Sequence, residues 1–272
     1  MPELPEVETV VRALRDPLIG RTFSGFVSYW PKQVIKPDDI RELETRLNGR
    51  TVSAINRRAK YIVISLDGGA ETLIVHLKMT GHLAVVPTST PVHKHVRNLF
   101  HLEGGDDLRF RDMRKFGRIY LVEDPQEVLS KLGPEPLEDE FTPAMLKENL
   151  NGRTRAIKPL LLDQTIVAGI GNIYADEALF GAKIRPTRPA NEISDDEFVA
   201  LHASIRQALQ LGIEREGASI DTYVKPDGTK GDMQNAVAVF RRTGSPCYTC
   251  HTPIERIVLG GRSTHFCPVC QS

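Results

Sequence analysis

Four cysteines constrain this chain more than any other feature. All lie in the last 26 of its 272 residues, as Cys247-x-x-Cys250 and Cys267-x-x-Cys270 with 16 residues between the pairs. That spacing fits a four-thiolate zinc site. Each pair offers two sulfurs from one tight turn, and four sulfurs close a tetrahedral shell. Such a site has no open position, so it is structural. Two disulfides are the competing arrangement, and a reducing cytosol disfavours them. Between the pairs, IERIVL, Gly260-Gly261 and RSTHF read as a β-hairpin. Bound metal can stabilise a hairpin too small to fold alone. His251 and His265 lie close by, but the sulfurs already complete the shell. Arg262 falls at the hairpin turn, where a guanidinium can grip a phosphate.

The rest of the chain is long enough for a real core, with 40% hydrophobic residues. Lys plus Arg and Asp plus Glu each number 35, so the zero net charge gives no hint of a polyanionic partner. Any basic surface must be local. No apolar run approaches the ~20 residues of a membrane span. The acidic N-terminus has no apolar segment like that of a signal peptide, so a cytoplasmic, non-membrane protein is expected.

The periodicity divides the chain. Residues 1–16 read as a helix, with Pro5 at its start, Glu6 and Glu8 at its positive end, and Val7, Val10, Val11 and Leu14 on one face. From Thr22 to about Val122 the pattern is mostly short strands, which suggests an antiparallel sandwich. Residues 131–141, KLGPEPLEDEF, are acidic, contain two prolines and read as a linker. Helical periodicity follows. Thr142-Pro143 and the Ser194/Glu197 capping box mark two helix starts, and Asn172 is a candidate cap for a third. GIGN lacks the third glycine and the strand–helix–strand setting of a dinucleotide site. Residues 217–235 show little periodicity, and a loop of that length within a domain is usually functional or disordered. The expected class is α+β and multidomain. An N-terminal antiparallel β-sandwich with a flanking helix spans 1–133, a helical domain with the long loop 217–235 spans 134–243, and the zinc hairpin spans 244–272.

Local basic clusters do exist. Arg57, Arg58 and Lys60 form one. Arg109, Arg111, Arg114, Lys115 and Arg118 surround Phe116 in a second. Arg153, Arg155 and Lys158 form a third. Any one alone reads as a solvated face; several beside a zinc hairpin favour phosphate contact. A helix N-terminus near Asn172 would add backbone donors. Phe116 among cations, and Met79 in HLKMTG, could wedge between base pairs, although each taken alone reads as a core residue. The N-terminus offers chemistry. With Met1 removed, Pro2 is a secondary amine with a pKa near 7.7–8.0, partly neutral at neutral pH. It could attack a carbonyl-like carbon to give an iminium, and Glu3 beside it could transfer protons.

PELPEVETV, RRAKY, HLKMTG, DMRKFG, IKPLLLDQTIVAGIGNIYADEALF and GRSTHFCPVCQ together span essentially the whole chain. In these motifs it resembles the bacterial formamidopyrimidine-DNA glycosylases, bifunctional base-excision repair enzymes. The resemblance implies that Pro2 displaces a damaged base through a Schiff base and that Glu3 donates the proton. Lys60 is implied in β-elimination and lesion contact, and Arg262 in δ-elimination and phosphate binding. Met79, Arg114 and Phe116 would fill the space of the flipped base, with Arg114 pairing with the orphaned cytosine. His76, Lys94, His95, Lys158 and Asn172 match phosphate-holding positions, and Arg153 joins them as a basic candidate. The helical domain would be a helix–two-turn–helix. The implied partner is duplex DNA carrying 8-oxoguanine opposite cytosine or a ring-opened purine. A monomer is expected, since the sequence gives no sign of an obligate oligomer; it would be nucleoid-associated when bound to DNA, with one structural zinc and no catalytic metal. Arg97 departs from the histidine common among relatives. Endonuclease-VIII-like glycosylases, which prefer oxidised pyrimidines, are the alternative within the class; the Arg-Lys-Phe run and the long loop favour the purine branch. A damaged-DNA-binding module without catalysis is the alternative outside it.

Overall fold

The structure is a computed structural model that describes residues 1–67, 70–220 and 223–272. Pro5 stands in the first turn of helix α1 (Leu4–Leu18), where its missing N–H leaves no bond unmade. The Glu6 carboxylate reaches back to accept the Glu3 N–H at 2.8 Å, one arm of a capping box. Val7, Val10, Val11, Leu14 and Leu18 fall on one face and are buried. The terminus is not frayed, because Pro2 and Glu3 are buried while Met1 is exposed.

The backbone forms two compact units, Met1–Ser130 with Glu216–Asp232, and Lys131–Arg215 with Met233–Ser272. This division differs from the linear one read from sequence. Most of the long loop belongs with the N-terminal unit, and the hairpin belongs with the helices.

The first unit continues from α1 into β1 (Phe23–Ser28), β2 (Val34–Lys36), helix α2 (Ile40–Leu47), β3 (Thr51–Arg58) and β4 (Tyr61–Asp67). Then come β5 (Thr72–His76), β6 (Gly81–Pro87), β7 (Val96–Leu102), β8 (Asp106–Asp112), β9 (Arg118–Val122) and the short helix α3 (Gln126–Leu129). One sheet has the order β1-β7-β8-β6 and the other β2-β9-β5-β4-β3. Pairing is antiparallel except between β2 and β9. The faces alternate as a half-buried strand should, most clearly in β4, while β5 is buried throughout. The apolar face of α1 joins Phe23, Ile62, Ile64, Leu73, Val75, Phe100 and Phe110 in one core. The mostly-strand expectation missed α2. Asp39 caps it by accepting the Arg41 N–H at 2.9 Å, and only Leu43 and Leu47 are fully buried, a weak apolar signal in a charged run.

The second unit holds α4 (Pro143–Leu150), α5 (Ile157–Leu161), α6 (Asn172–Gly181), α7 (Asp195–Glu214), β10 (Glu255–Leu259) and β11 (Arg262–Phe266). Thr142 and the Ser194/Glu197 box cap α4 and α7 as expected. The supposed linker is strapped down. Gly133 N–H donates to Gln164, Arg206 grips the carbonyls of Pro136 and Glu138, and Phe141 is buried. Gly260 and Gly261, both at positive φ, turn β10 into β11. Glu177 accepts the backbone N–H groups of Ala238, Val239 and Phe240 at 2.6–3.0 Å, fixing the chain as it enters the hairpin. Among the described residues, no helix is long and apolar enough to cross a membrane.

Candidate active site

In the first unit the N-terminus is tied to the long loop through Glu6. One carboxylate oxygen accepts the Glu3 N–H and the other accepts the Ala218 N–H, both at 2.8 Å. The Tyr223 hydroxyl donates to the Glu6 carbonyl at 3.3 Å. Burial, then the Glu6 charge, push that hydroxyl's pKa up, so it remains a donor. The imidazole of His82 donates to the Lys225 carbonyl at 3.0 Å. Gly231 closes the base of the segment. A Cβ there would lie 2.3 Å from the carbonyl oxygens of Glu216 and Gly217. Residues 221 and 222 of the long loop 217–235 lie outside the described residues.

Lys60 is buried in the two-residue turn between β3 and β4, next to Ala59 at φ 52°. Across β4, β5 and β9, Tyr61, His76 and Arg118 stand in register. His76 is buried, and its Nδ1 accepts the Lys78 N–H at 2.9 Å. Burial, and then the charges of Lys78, Lys60 and Arg118, hold its pKa well below the ordinary value. The ring is therefore neutral with its proton on Nε2, a donor form suited to an anion.

Two turns carry the expected wedge. Met79 is half-buried in the turn after β5, while Arg114 and Phe116 are exposed in the turn between β8 and β9. The Arg114 guanidinium lies 4.8 Å from the Phe116 ring centroid. Phe116 is thus not a core residue. Lys94 is exposed and His95 is half-buried. Arg97, the departure from the expected histidine, grips the Lys94 carbonyl at 3.3 Å and lies 3.2 Å from His95 Nδ1. The basic clusters are partly spent on structure: Arg57 pairs with Glu8 at 3.1 Å, and buried Arg109 pairs with Asp107 at 2.8 Å.

The second unit corrects two expectations. Lys158 is wholly buried. Its ammonium pairs with Asp176 at 2.7 Å and donates to the Ser263 carbonyl and the Thr264 hydroxyl, each at 2.8 Å. With no exposed surface it is not part of a solvated basic face, and its charge is committed to the hairpin. Asn172 is the first residue of α6 and not its cap, which is Gly171. Its side-chain nitrogen donates instead to the Ser263 carbonyl at 3.0 Å. Lys158 and Asn172 thereby meet at the residue beside Arg262, which is exposed at the start of β11. Asp176 also accepts the backbone N–H and the Nδ1–H of His265, each at 3.0 Å. Arg153 is exposed and stands apart, bonded to the Asn149 carbonyl. Nothing in the local sequence marked the link from Glu6 to Ala218, or Asp176 as an organiser, because those partners are remote along the chain.

The four cysteine sulfurs lie within 4.8 Å of one another. Cys247 and Cys270 are 3.9 Å apart, and Cys250 and Cys267 are 3.4 Å apart. Four Zn–S bonds of about 2.3 Å place sulfurs about 3.8 Å apart, so the site fits one structural zinc and no disulfide. Cys247 Sγ accepts the Thr249 N–H, and Cys267 Sγ the Cys270 N–H, as zinc-bound thiolates do.

Residues 1–119 match the N-terminal domain of formamidopyrimidine-DNA glycosylase, residues 132–224 its H2TH domain, and residues 244–272 a zinc finger found in FPG and IleRS. The chain is 44% identical to the formamidopyrimidine-DNA glycosylase of Brevibacillus brevis, covering 100% of this chain and 99% of that protein. It is 45% identical to that of Herpetosiphon aurantiacus, over 100% of both chains. Among solved structures it is similar to a Lactococcus lactis FPG mutant in complex with a Fapy-dG containing DNA, with TM-score 0.93 and 38% identity over 100% of both chains. It is similar too to Lactococcus lactis Fpg in complex with an abasic site containing DNA, with TM-score 0.92 and 38% identity over 99% of both. In sequence and fold, over its whole length, the chain belongs to the formamidopyrimidine-DNA glycosylase family.

Proposed function

We propose that this protein removes oxidised and ring-opened purines from duplex DNA and then cuts the strand at the resulting site. The observation that carries the reading is the burial of Pro2 and Glu3 at the capped start of α1, tied through Glu6 to the segment that begins at Ala218. Residues so placed are built for chemistry and not for a loose end.

Once Met1 is removed, the Pro2 nitrogen attacks C1′ of the damaged nucleotide, and the glycosidic bond breaks as the N–C bond forms. The base leaves with a proton from Glu3. The amine proton is transferred to the ring oxygen O4′ as the C1′–O4′ bond breaks, giving an open-chain iminium that withdraws electrons from C2′. Removal of a C2′ proton expels the 3′ phosphate by β-elimination, and a second elimination expels the 5′ phosphate. Lys60 serves the first elimination and Arg262 the second. Met79, Arg114 and Phe116 occupy the space of the extruded nucleotide, and Arg114 pairs with the opposite cytosine. His76, Lys94, His95 and Arg262 hold phosphates, joined by Arg153 and the backbone at the start of α6. The protein acts as a monomer on nucleoid DNA, and its zinc is structural. The domain roles follow: sandwich for chemistry, helical domain and finger for DNA.

Borohydride trapping on a duplex with 8-oxoguanine opposite cytosine tests this. The expected product is a covalent adduct on the N-terminal peptide lacking Met1. A crosslink at Lys60 would move the nucleophile. No adduct, from protein that has lost Met1 and binds the duplex, would defeat the assignment.

A further inference from the structure

We propose that Asp112 is a positioning residue that holds Met79, Arg114 and Phe116 in one fixed arrangement, and thereby sets how the enzyme reads the base opposite the lesion. The proposal rests on the reading of those three side chains as the wedge.

Asp112 ends β8 and is 0% exposed. Four donors converge on its carboxylate. Oδ1 accepts the Thr80 hydroxyl and the Arg114 N–H at 3.2 Å. Oδ2 accepts the Gln33 side-chain amide at 2.7 Å and the Gly117 N–H at 2.8 Å. The Thr80 hydroxyl oxygen itself accepts the Arg114 N–H at 3.0 Å. The turn that carries Met79 and the turn that carries Arg114 and Phe116 are therefore fastened to one buried anion and to each other.

The hub is itself held from behind. Gln33 accepts the Asn98 amide at 2.9 Å, and Asn98 accepts the Ser28 hydroxyl at 2.7 Å. Gln33 and Asn98 are both 0% exposed. The main chain of residue 112 adds a third arm. Its N–H donates to the His95 carbonyl at 2.8 Å, and its carbonyl accepts Arg97 Nε at 3.0 Å.

An ionised carboxylate is acceptor-only, with about four lone-pair sites, and four donors saturate it. An asparagine would turn an NH2 toward two of those donors. The turn needs such a hold, because Met113, Arg114 and Phe116 are exposed and Lys115 sits at φ 62°. A non-glycine residue keeps that conformation only where its surroundings over-determine it. The ammonium of Lys115, 3.8 Å from the centroid of the Trp30 ring, is a further restraint on this turn.

The test compares Asp112→Asn and Thr80→Val with Arg114→Ala and Phe116→Ala, in full-length zinc-loaded protein. Single-turnover excision of 8-oxoguanine opposite cytosine and opposite adenine gives the discrimination ratio. Borohydride trapping on a preformed abasic site reads the chemistry without extrusion of a base. Asp112→Asn is expected to lower the cytosine-over-adenine ratio on the order of tenfold, the scale of one misplaced charge-assisted hydrogen bond. Thr80→Val lowers it less, and abasic-site trapping holds within about twofold for both. Added to Phe116→Ala, Asp112→Asn brings less than its separate effect, because the two act through one arrangement. Equal losses on all three substrates would mean general damage and overturn the proposal. If Asp112→Asn does not fold, Thr80→Val decides alone, since it removes one hydroxyl and leaves the other three bonds to the carboxylate. Wild-type ratios in the folded variants, while Arg114→Ala and Phe116→Ala lose discrimination, would overturn the Asp112 role only. If those two also keep wild-type ratios and rates, the wedge reading falls and this proposal with it.

Discussion

Glu3 and His76 show how single residues acquire a state from their surroundings. The Glu3 backbone is fixed by Glu6, so its carboxyl is presented from a set position beside Pro2. Glu3→Gln keeps the shape and removes the proton. Excision of 8-oxoguanine is expected to fall by at least about 100-fold, the lower range for general acid–base catalysis, with damaged-duplex binding retained. A single-turnover rate near wild type would remove Glu3 from the chemistry. His76 is held neutral by burial and by Lys78, Lys60 and Arg118. Because its folded pKa is depressed, the unfolded chain binds the extra proton first as pH falls below about 6.5. Stability should therefore drop with falling pH from that point, with this group adding a slope of up to about 1.4 kcal/mol per pH unit. His76→Gln can still accept the Lys78 N–H but cannot titrate. Urea midpoints at pH 7.5 and 5.5 should differ less in the variant than in the parent, and an equal difference would refute the assignment.

Elements differ in how far the sequence alone defines them, and the difference is one of range. The finger is local: two C-x-x-C turns, a Gly-Gly turn and one metal specify it, and the hairpin lies where the spacing predicts. Zinc removal should expose the β10 and β11 amides to hydrogen exchange and weaken DNA binding, with α1 and the sandwich still protected. Loss of protection throughout would mean that the metal supports more than the finger. The start of α1 was equally legible from Pro5 and Glu6. Lys158 was not. NGRTRAIK reads as a basic cluster because Asp176, which neutralises Lys158, and Thr264, which accepts its hydrogen bond, are remote in sequence. Asp112 was hidden for the same reason, since Gln33 lies 79 residues away. The turn at Ala59 gave no signal either, because glycine, the usual mark of positive φ, is absent. The 216–232 segment is intermediate: its length was visible, its docking was not. Gly231→Ala should loosen its base by roughly 1–3 kcal/mol, since a Cβ meets two backbone carbonyls. Faster exchange of the Ala218 N–H would show it, and unchanged exchange would mean the close approach is not required.

At the scale of the whole molecule, a chain with 35 basic and 35 acidic residues is proposed to bind a polyanion. Net charge cannot drive that association, so individual cations at phosphates must. Much of the basic inventory is already neutralised: Arg57 by Glu8, Arg109 by Asp107, Lys158 by Asp176 and Arg188 by Glu197. Lys94, Arg153 and Arg262 remain exposed. Each that touches a phosphate releases about one counterion on binding and adds about 0.9 to the salt slope. Lys94→Ala and Arg262→Ala should therefore each flatten the plot of log K against log salt by about one, and the double variant by about two. Lys158→Met should leave the slope alone while destabilising the fold, because removing one partner strands buried Asp176. Titrations of an uncleavable abasic-analogue duplex from 50 to 200 mM salt distinguish the two kinds of lysine. A slope that falls for Lys158→Met in folded protein would return that residue to the DNA surface. A slope unchanged in the Lys94 and Arg262 variants would mean that affinity comes from backbone donors and the wedge, with the exposed cations serving solubility alone.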